Sequence, residues 1–291
     1  MDAALLEHFA LPLLERLRGQ GQRGRRPVIA LNAPVGAGKT TLCRLLAGLA
    51  PGLDLQLAVA SIDDLYLPWA ERQQVLAGNP FGVSRVPPGS HDTGLLCDRL
   101  DAWQAGGPLR LPRFDKTLRR GEGDRCADRE EPADALLLEG WLLGCRPLGA
   151  ALKPALGQVV GRLTPLELRW VPHWDRALGN YLPLWQRCDE LWLMHPLDWR
   201  WPRRWRFQAE ARQRRLGGNA LSATALDQLV RASLCSLPPE LYQQPLLSSL
   251  ETPDFDKSIT PGTEGSVIPI GAAALLDQRR RLQRLLSAAP G

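Results

Sequence analysis

Paired cysteine motifs are missing from this chain. Its 291 residues hold six Cys, at 43, 97, 126, 145, 188 and 235, and no two stand in Cys-x-x-Cys spacing. That removes a zinc ribbon and a dithiol redox motif, and scattered thiols point to a reducing, cytoplasmic setting. No apolar run is long enough to cross a bilayer, so no membrane partner is expected. No internal repeat is visible. The first residues lack a leader pattern: Asp2, Glu7 and Glu15 stand inside an amphipathic stretch, which argues against a signal or transit peptide. Lysine is scarce. Only Lys39 and Lys116 break an otherwise arginine-based positive charge through the first 150 residues. No RNA- or DNA-binding motif accompanies that charge, so nucleic acid is not the expected partner.

What is present is globular. Hydrophobic content is 44% and charged content 23%, values of a folded chain rather than a disordered one. The net charge of +5 and the pI near 9.1 suit nucleic acid and an enzyme for anionic substrates equally well. One stretch organises the rest: Ala33-Pro34-Val35-Gly36-Ala37-Gly38-Lys39-Thr40-Thr41. It follows the apolar run from Pro27 to Leu31 and precedes a helical pattern, Leu42 to Leu49. Strand, Gly-rich loop and helix is the context of a phosphate-binding P-loop. Gly36 and Gly38 allow backbone N–H groups to turn inward, and with Ala37, Thr41 and the helix N-terminus they would cradle the phosphates of ATP. Lys39 would reach the β- and γ-phosphates, and the Thr40 hydroxyl would hold Mg²⁺. The usual pattern opens with Gly where this chain has Ala33.

Two further apolar runs end in acids. The run Leu55 to Ala60 ends in Ser61-Ile62-Asp63-Asp64-Leu65-Tyr66, and the run Ala135 to Leu138 ends in Glu139-Gly140-Trp141. In parallel sheets ligands sit beyond the carboxyl ends of strands. A carboxylate there takes the proton of a substrate hydroxyl or holds Mg²⁺. Asp63 is favoured as the base, with helix capping as the other role open to the Asp pair. Glu139 is expected on the Mg²⁺ side. His91 and Asp92 read first as a helix cap, in a Gly/Pro loop suited to substrate contacts. Arg113, Lys116, Arg119, Arg120 and Arg125 crowd the loop after a strand at 109–116, and Arg forks suit a carboxylate. The segment 198–215 is helical and rich in Arg. Arg203, Arg206 and Arg200 fall toward one side, as in a lid that closes on phosphates. The expected fold is α/β, a mostly parallel sheet flanked by helices with an Arg-rich helical lid. Residues 1–24 form an N-terminal helix and connector, 25–250 the core with the lid at about 198–216, and 251–291 a C-terminal extension. That extension reads as a polar loop at 252–265, an edge strand at 266–270 and a closing helix at 272–286. Helices are also expected at 175–188 and 222–234.

The ordered motifs resemble those of the D-glycerate 3-kinases, P-loop kinases related to uridine kinase, phosphoribulokinase and bacterial pantothenate kinase. The resemblance covers about residues 25 to 245. It rests on the loop 33–41, Ser61 to Tyr66, Gly78-Asn79-Pro80, Pro88-Gly89-Ser90-His91-Asp92 and Pro112-Arg113-Phe114-Asp115-Lys116. Gly121-Glu122-Gly123-Asp124-Arg125, Leu138 to Trp141 and Trp205 to Glu210 complete it. It implies Mg²⁺- and ATP-dependent phosphorylation of D-glycerate to 3-phosphoglycerate. Asp63 would be the base, with Lys39 and the lid's Arg206 on the transferred group. Asp64, Tyr66, His91, Asp115, Arg120, Arg125 and Arg203 would border the acceptor. In this family Ala at the loop start is normal. Two departures stand out. Val35 replaces the family's Gln, and 229–237 lacks two Tyr and a Pro of the family pattern, which leaves pantothenate, a sugar phosphate or a nucleoside as other acceptors. A P-loop NTPase binding nucleic acid through the Arg helix is the reading from another class.

Overall fold

The computed structural model describes residues 1–21, 24–217, 221–251 and 268–287. Five parallel strands and one antiparallel strand make the central sheet. These are β1 (Val28–Asn32), β2 (Leu57–Ser61), β5 (Ala135–Gly140), β6 (Glu190–Pro196), β7 (Ile270–Leu276) and β8 (Leu282–Ser287), in the order β2-β5-β1-β6-β7-β8. The antiparallel member is β8, paired to β7. A separate two-stranded hairpin joins β3 (Leu109–Asp115) to β4 (Asp124–Glu131).

The interior strands are continuous apolar runs because both faces are covered. Every residue of β1, β5 and β6 is buried. Successive side chains go to opposite cores, as the period of two requires. Val28 and Ala30 join one cluster, with the helix Thr93–Gln104 and the segment Pro165–Trp185; Ile29 and Leu31 join the other. That second core holds the N-terminal helical stretch, through Phe9, Leu13, Leu14 and Leu17, and the helix Lys39–Leu49 behind the P-loop. β1 and β5 run side by side, with Leu31 opposite Glu139, and β2 lies beyond β5, with Ser61 opposite Glu139. The loop at 33–38, Glu139 and the Asp63-Asp64 turn therefore leave the same edge of the sheet. No helix among the described residues is long and apolar enough to cross a membrane.

The C-terminal segment corrects three expectations. Residues 272–286 form no helix. They are most of β7 and β8, joined by a turn in which Asp277 Oδ1 accepts from Arg279 N at 2.7 Å and Arg281 N at 2.9 Å. An apolar run such as Gly271-Ala272-Ala273-Ala274-Leu275-Leu276 does not separate helix from buried strand, and Ala's helix propensity yields to tertiary context. The strand also begins at Ile270, and it is interior rather than an edge, because β6 and β8 flank it. Pro269 stands just outside, where its carbonyl accepts from Leu191 N at 2.8 Å and its missing donor costs no ladder bond. Small residues fit here for a steric reason: a Cβ on Gly271 would lie 2.5 Å from Glu190 Oε1. The polar loop expected at 252–265 lies outside the described residues, as do Ser266 and Val267. The helix expected at 175–188 starts earlier, at Pro165–Ala177, on a capping box between Thr164 and Glu167, and 3-10 and short α turns then carry the chain to Trp185. The helix Ala223–Cys235 matches the one expected at 222–234.

Candidate active site

The P-loop follows β1. Gly36 has φ +77° and Gly38 φ +100°, the left-handed region that favours glycine, and Gly38 caps the helix Lys39–Leu49. Gly36 is needed twice over. A Cβ there would stand 2.5 Å from Arg206 N and 2.7 Å from the Trp205 carbonyl carbon. The loop thus touches the backbone of the arginine-rich helix directly. Inside the loop, Thr40 Oγ1 donates to Glu139 Oε1 at 3.2 Å, and Lys39 Nζ stands 3.7 Å from Glu139 Oε2. Glu139 is buried, and its Oε2 has no hydrogen-bond donor. A buried carboxylate oxygen short of a donor, beside a hydroxyl, is a hard-oxygen set that fits Mg²⁺.

Asp63 sits in the 3-10 turn Ile62–Leu65 after β2, with Ser61 Oγ accepting from its N–H. Both carboxylate oxygens are taken: Oδ1 accepts from Tyr66 OH at 3.1 Å and Oδ2 from Lys116 Nζ at 2.7 Å. Burial pulls this carboxyl up, but the Lys116 ammonium, together with Lys39 and His91, outweighs it. Asp63 is held well below the usual carboxylate range. Lys39 thereby links the P-loop to Asp63 electrostatically. Tyr66 is buried, stacked on His91 at 4.5 Å and edge-on to Phe114 at 5.0 Å. Burial, reinforced by Asp63, pushes its phenol far up. His91 Nδ1 meets Tyr181 OH at 2.6 Å, while the Tyr181 oxygen also accepts from Gly89 N at 3.0 Å. Burial brings His91 down to about 4, against the pull of Asp63, so the ring is neutral at pH 7. Asp64 has the structural part of the pair: Oδ1 accepts from Phe114 N at 3.4 Å, tying the turn to β3. Burial raises its carboxyl, and Asp63 adds to the rise.

The cationic loop between β3 and β4 is held from below by two buried arginines that the sequence reading did not single out. Arg72 donates to the carbonyls of Leu67, Ser84, Glu122 and Gly123, the last at 2.7 Å, and Arg85 to those of Gly121 and Glu122. The loop tip is strained, because Arg119 and Arg120 both have positive φ, +52° and +57°. Its cations divide into committed and exposed ones. Arg119 pairs with Asp124 at 2.9 Å, and Arg125 gives Nε to Tyr66 O and Nη2 to Asp92 Oδ2. Asp92 also caps the helix Thr93–Gln104, accepting from Leu95 N. Arg113 and Arg120 are exposed. Asp115 turns to its own loop, accepting from Thr117 N and Oγ1, so it supports the loop's shape rather than facing Asp63. Lys116, one residue on, is the member of the Pro-Arg-Phe-Asp-Lys run that reaches Asp63. Arg72, Arg85 and Tyr181 sent no local signal, since each acts through the tertiary placement of distant carbonyls, an amide or a ring nitrogen.

The arginine-rich helix, Trp201–Arg215, is anchored at its N-terminal half: Trp205 is fully buried and its Nε1 donates to Gln278 O at 2.8 Å. Arg206 lies beside the P-loop and pairs with the buried Glu210 at 2.7 Å. Arg203 pairs with Asp227, and Arg200 with Asp198. Near the loop's start, Val35 lines a small crevice with Trp141, Trp199, Ser233 and Leu237. The two departures from the family motifs, far apart in sequence, meet there.

No protein-family model matches the chain. Among curated proteins it is 32% identical over 233 residues to the chloroplastic D-glycerate 3-kinase of Arabidopsis thaliana, covering 75% of this chain and 49% of that protein. The chain resembles the D-glycerate 3-kinases. It spans about half the length of this plant relative. An uncharacterized kinase of Schizosaccharomyces pombe matches over 219 residues at 28% identity, covering 70% of this chain and 78% of that one. Among solved structures, D-glycerate 3-kinase from Cryptococcus neoformans superposes with a TM-score of 0.75 at 24% identity, covering 97% of each chain. That likeness shows the fold, a P-loop kinase fold with a mostly parallel sheet flanked by helices.

Proposed function

We propose that this protein is an ATP-dependent small-molecule kinase that phosphorylates D-glycerate on its primary hydroxyl, giving 3-phosphoglycerate and ADP. The observation that carries the reading is Asp63: an ionised carboxylate on the P-loop edge of the sheet, with one oxygen held by buried Tyr66 and the other by Lys116, whose side chain is 54% exposed. The acceptor hydroxyl takes the place of the Lys116 ammonium on Oδ2. Its O–H bond breaks toward Asp63, its oxygen forms the new bond to the γ-phosphorus, and the bond from that phosphorus to the β,γ-bridging oxygen breaks. Lys39 and Arg206 offset the charge on the transferred group. Thr40 and Glu139 would hold Mg²⁺, which neutralises phosphate charge when bound. Released from Asp63, Lys116 is free to meet the acceptor carboxylate, with Arg120 and the fork of Arg113 in the same loop. Tyr66 and His91 shape the wall behind Asp63, and Arg125 fixes that wall by its bonds to Tyr66 and Asp92.

The arginine helix serves the phosphates rather than nucleic acid in this reading. Arg203 and Arg214 are already spent on Asp227 and Leu221 O. The first helix and the last hairpin belong to the same kinase domain, since β7 and β8 extend the sheet and Asp2 Oδ2 accepts from Leu282 N at 3.1 Å. All six Cys are free thiols, as suits a cytoplasmic enzyme.

The direct test is ADP release with Mg-ATP against D-glycerate, L-glycerate, pantothenate, uridine and ribulose 5-phosphate, with phosphorus NMR of the product. Turnover on D-glycerate giving the 3-phosphate is expected. Faster turnover on another acceptor would reassign the substrate and point to the Val35–Ser233 crevice. Lys116→Ala separates the two jobs given to that ammonium. KM for the acceptor should rise about tenfold or more, the scale of a lost charge-assisted hydrogen bond. KM for ATP should stay within about twofold. An unchanged acceptor KM would remove Lys116 from the acceptor site.

A further inference from the structure

The P-loop is gripped at its Gly36 carbonyl by a residue from the last turn of the described chain. Arg280 lies between β7 and β8 at φ +62°. Its Nε donates to Gly36 O at 2.8 Å. Its Nη2 donates to Trp205 O at 3.1 Å and Gln208 Oε1 at 3.2 Å, and its guanidinium lies 5.4 Å from the centre of the Trp205 ring. All three acceptors are neutral oxygens. Desolvation, with Arg212 adding to it, pulls the guanidinium pKa down, so the charge is held there at a cost. A strained backbone and a half-buried cation with no carboxylate partner among the described residues are a poor arrangement for stability alone. They make sense as a device of position.

The chemistry of that position follows from the planarity of the peptide. The Gly36 carbonyl and the Ala37 N–H lie on opposite edges of one rigid plane. Arg280 fixes the carbonyl edge. Among the described residues the Ala37 N–H edge is held only by a long 3.3 Å bond to Pro34 O, a weak one that a phosphate oxygen replaces at little expense. The other arm of Arg280 grips the arginine helix one residue before Arg206, where that helix touches Gly36. We propose that Arg280 is a positioning residue for the nucleotide: it braces the Gly36–Ala37 peptide from behind and ties it to the arginine helix, so that phosphate binding and the seating of Arg206 are coupled. This rests on the kinase reading. It adds a role for the C-terminal hairpin that none of the sequence motifs assigns.

The test uses ADP binding, which needs neither acceptor nor turnover. Mg-ADP affinity is measured by titration calorimetry on the full chain, and amide hydrogen exchange over 201–215 is followed with and without ADP. In Arg280→Gly the dissociation constant should rise about 5–50-fold, the range of an ordinary coupling between sites, and the slowing of exchange by ADP over 201–208 should vanish. The melting temperature should stay within about 3 °C, because glycine adopts φ +62° without strain. Arg280→Lys can restore one contact but not the fork, so it should regain ADP affinity without the exchange protection. Arg279→Ala, exposed and one residue away, should behave as wild type. Wild-type affinity and wild-type helix protection in Arg280→Gly would overturn the proposal. If that variant fails to fold, full helix protection in Arg280→Lys does so instead. A wild-type protein that binds no ADP brings down the kinase reading first, and this inference with it.

Discussion

Asp63→Asn lowers turnover by about 10²–10⁴-fold, the contribution of a positioned general base, and leaves Mg-ATP affinity within about twofold. Asn keeps the shape and the Tyr66 contact but accepts no proton. Steady-state kinetics with equilibrium ATP binding checks both halves, and near-normal turnover would remove Asp63 as the base. The pH profile gives a second check, with a definite sign. In the free enzyme the Lys116 ammonium, with Lys39 and His91, holds the Asp63 carboxyl well below its ordinary range, so the base stays ionised and Asp63 causes no loss of kcat/KM from pH 7 down through the usual carboxylate range. Removing the cation lets the carboxyl rise, since the burial that opposes Lys116 remains. The acid limb of kcat/KM, which reports the free enzyme, should therefore move to higher pH in Lys116→Ala. A limb in the same place for both proteins would mean that another group sets it. Asp64 carries no such expectation, because its carboxylate serves the Phe114 amide.

Gly36→Ala is the second large effect, and it acts by displacement. The new Cβ meets the backbone N of Arg206 at 2.5 Å, a separation that no rotamer change relieves, and φ +77° is strained for any residue with a Cβ. Either the P-loop or the arginine helix has to move. The expected destabilisation is about 2–3 kcal/mol, a melting point lower by roughly 4–10 °C. Turnover should fall about 10²-fold, the usual result of an ångström's misplacement at a phosphoryl-transfer site. Gly38→Ala is the control. Its φ is also positive, but a Cβ there meets nothing within 4 Å, so strain alone acts and the helix stays seated. Amide exchange over 201–215 should be faster in Gly36→Ala and unchanged in Gly38→Ala. Equal effects in both would mean that the contact with Arg206 has no consequence for the site.

How much of this was legible before the fold was known depends on how local each signal is. The P-loop, the Asp63 turn and Glu139 announce themselves because strand, loop and helix follow one another directly, and the buried strands are unbroken apolar runs. The closing hairpin reads as a helix from sequence because an Ala-rich run serves either element, and the choice is made by pairing with β6. Asp115 and Lys116 are neighbours in one motif, yet the loop sends one to Thr117 and the other to Asp63.

The sequence by itself determined the parallel α/β sheet, the phosphate cradle and the acids at the strand ends, all carried by residues a few positions apart whose geometry the backbone dictates. Only the tertiary structure decided which cation meets which carboxylate. It brought Lys116 to Asp63, Arg206 to the back of Gly36 and Arg280 under the P-loop, over separations of 53, 170 and 244 residues. The reason is physical. Hydrophobic patterning fixes which face of an element is buried, but the meeting of two charges across the molecule depends on how every intervening element packs.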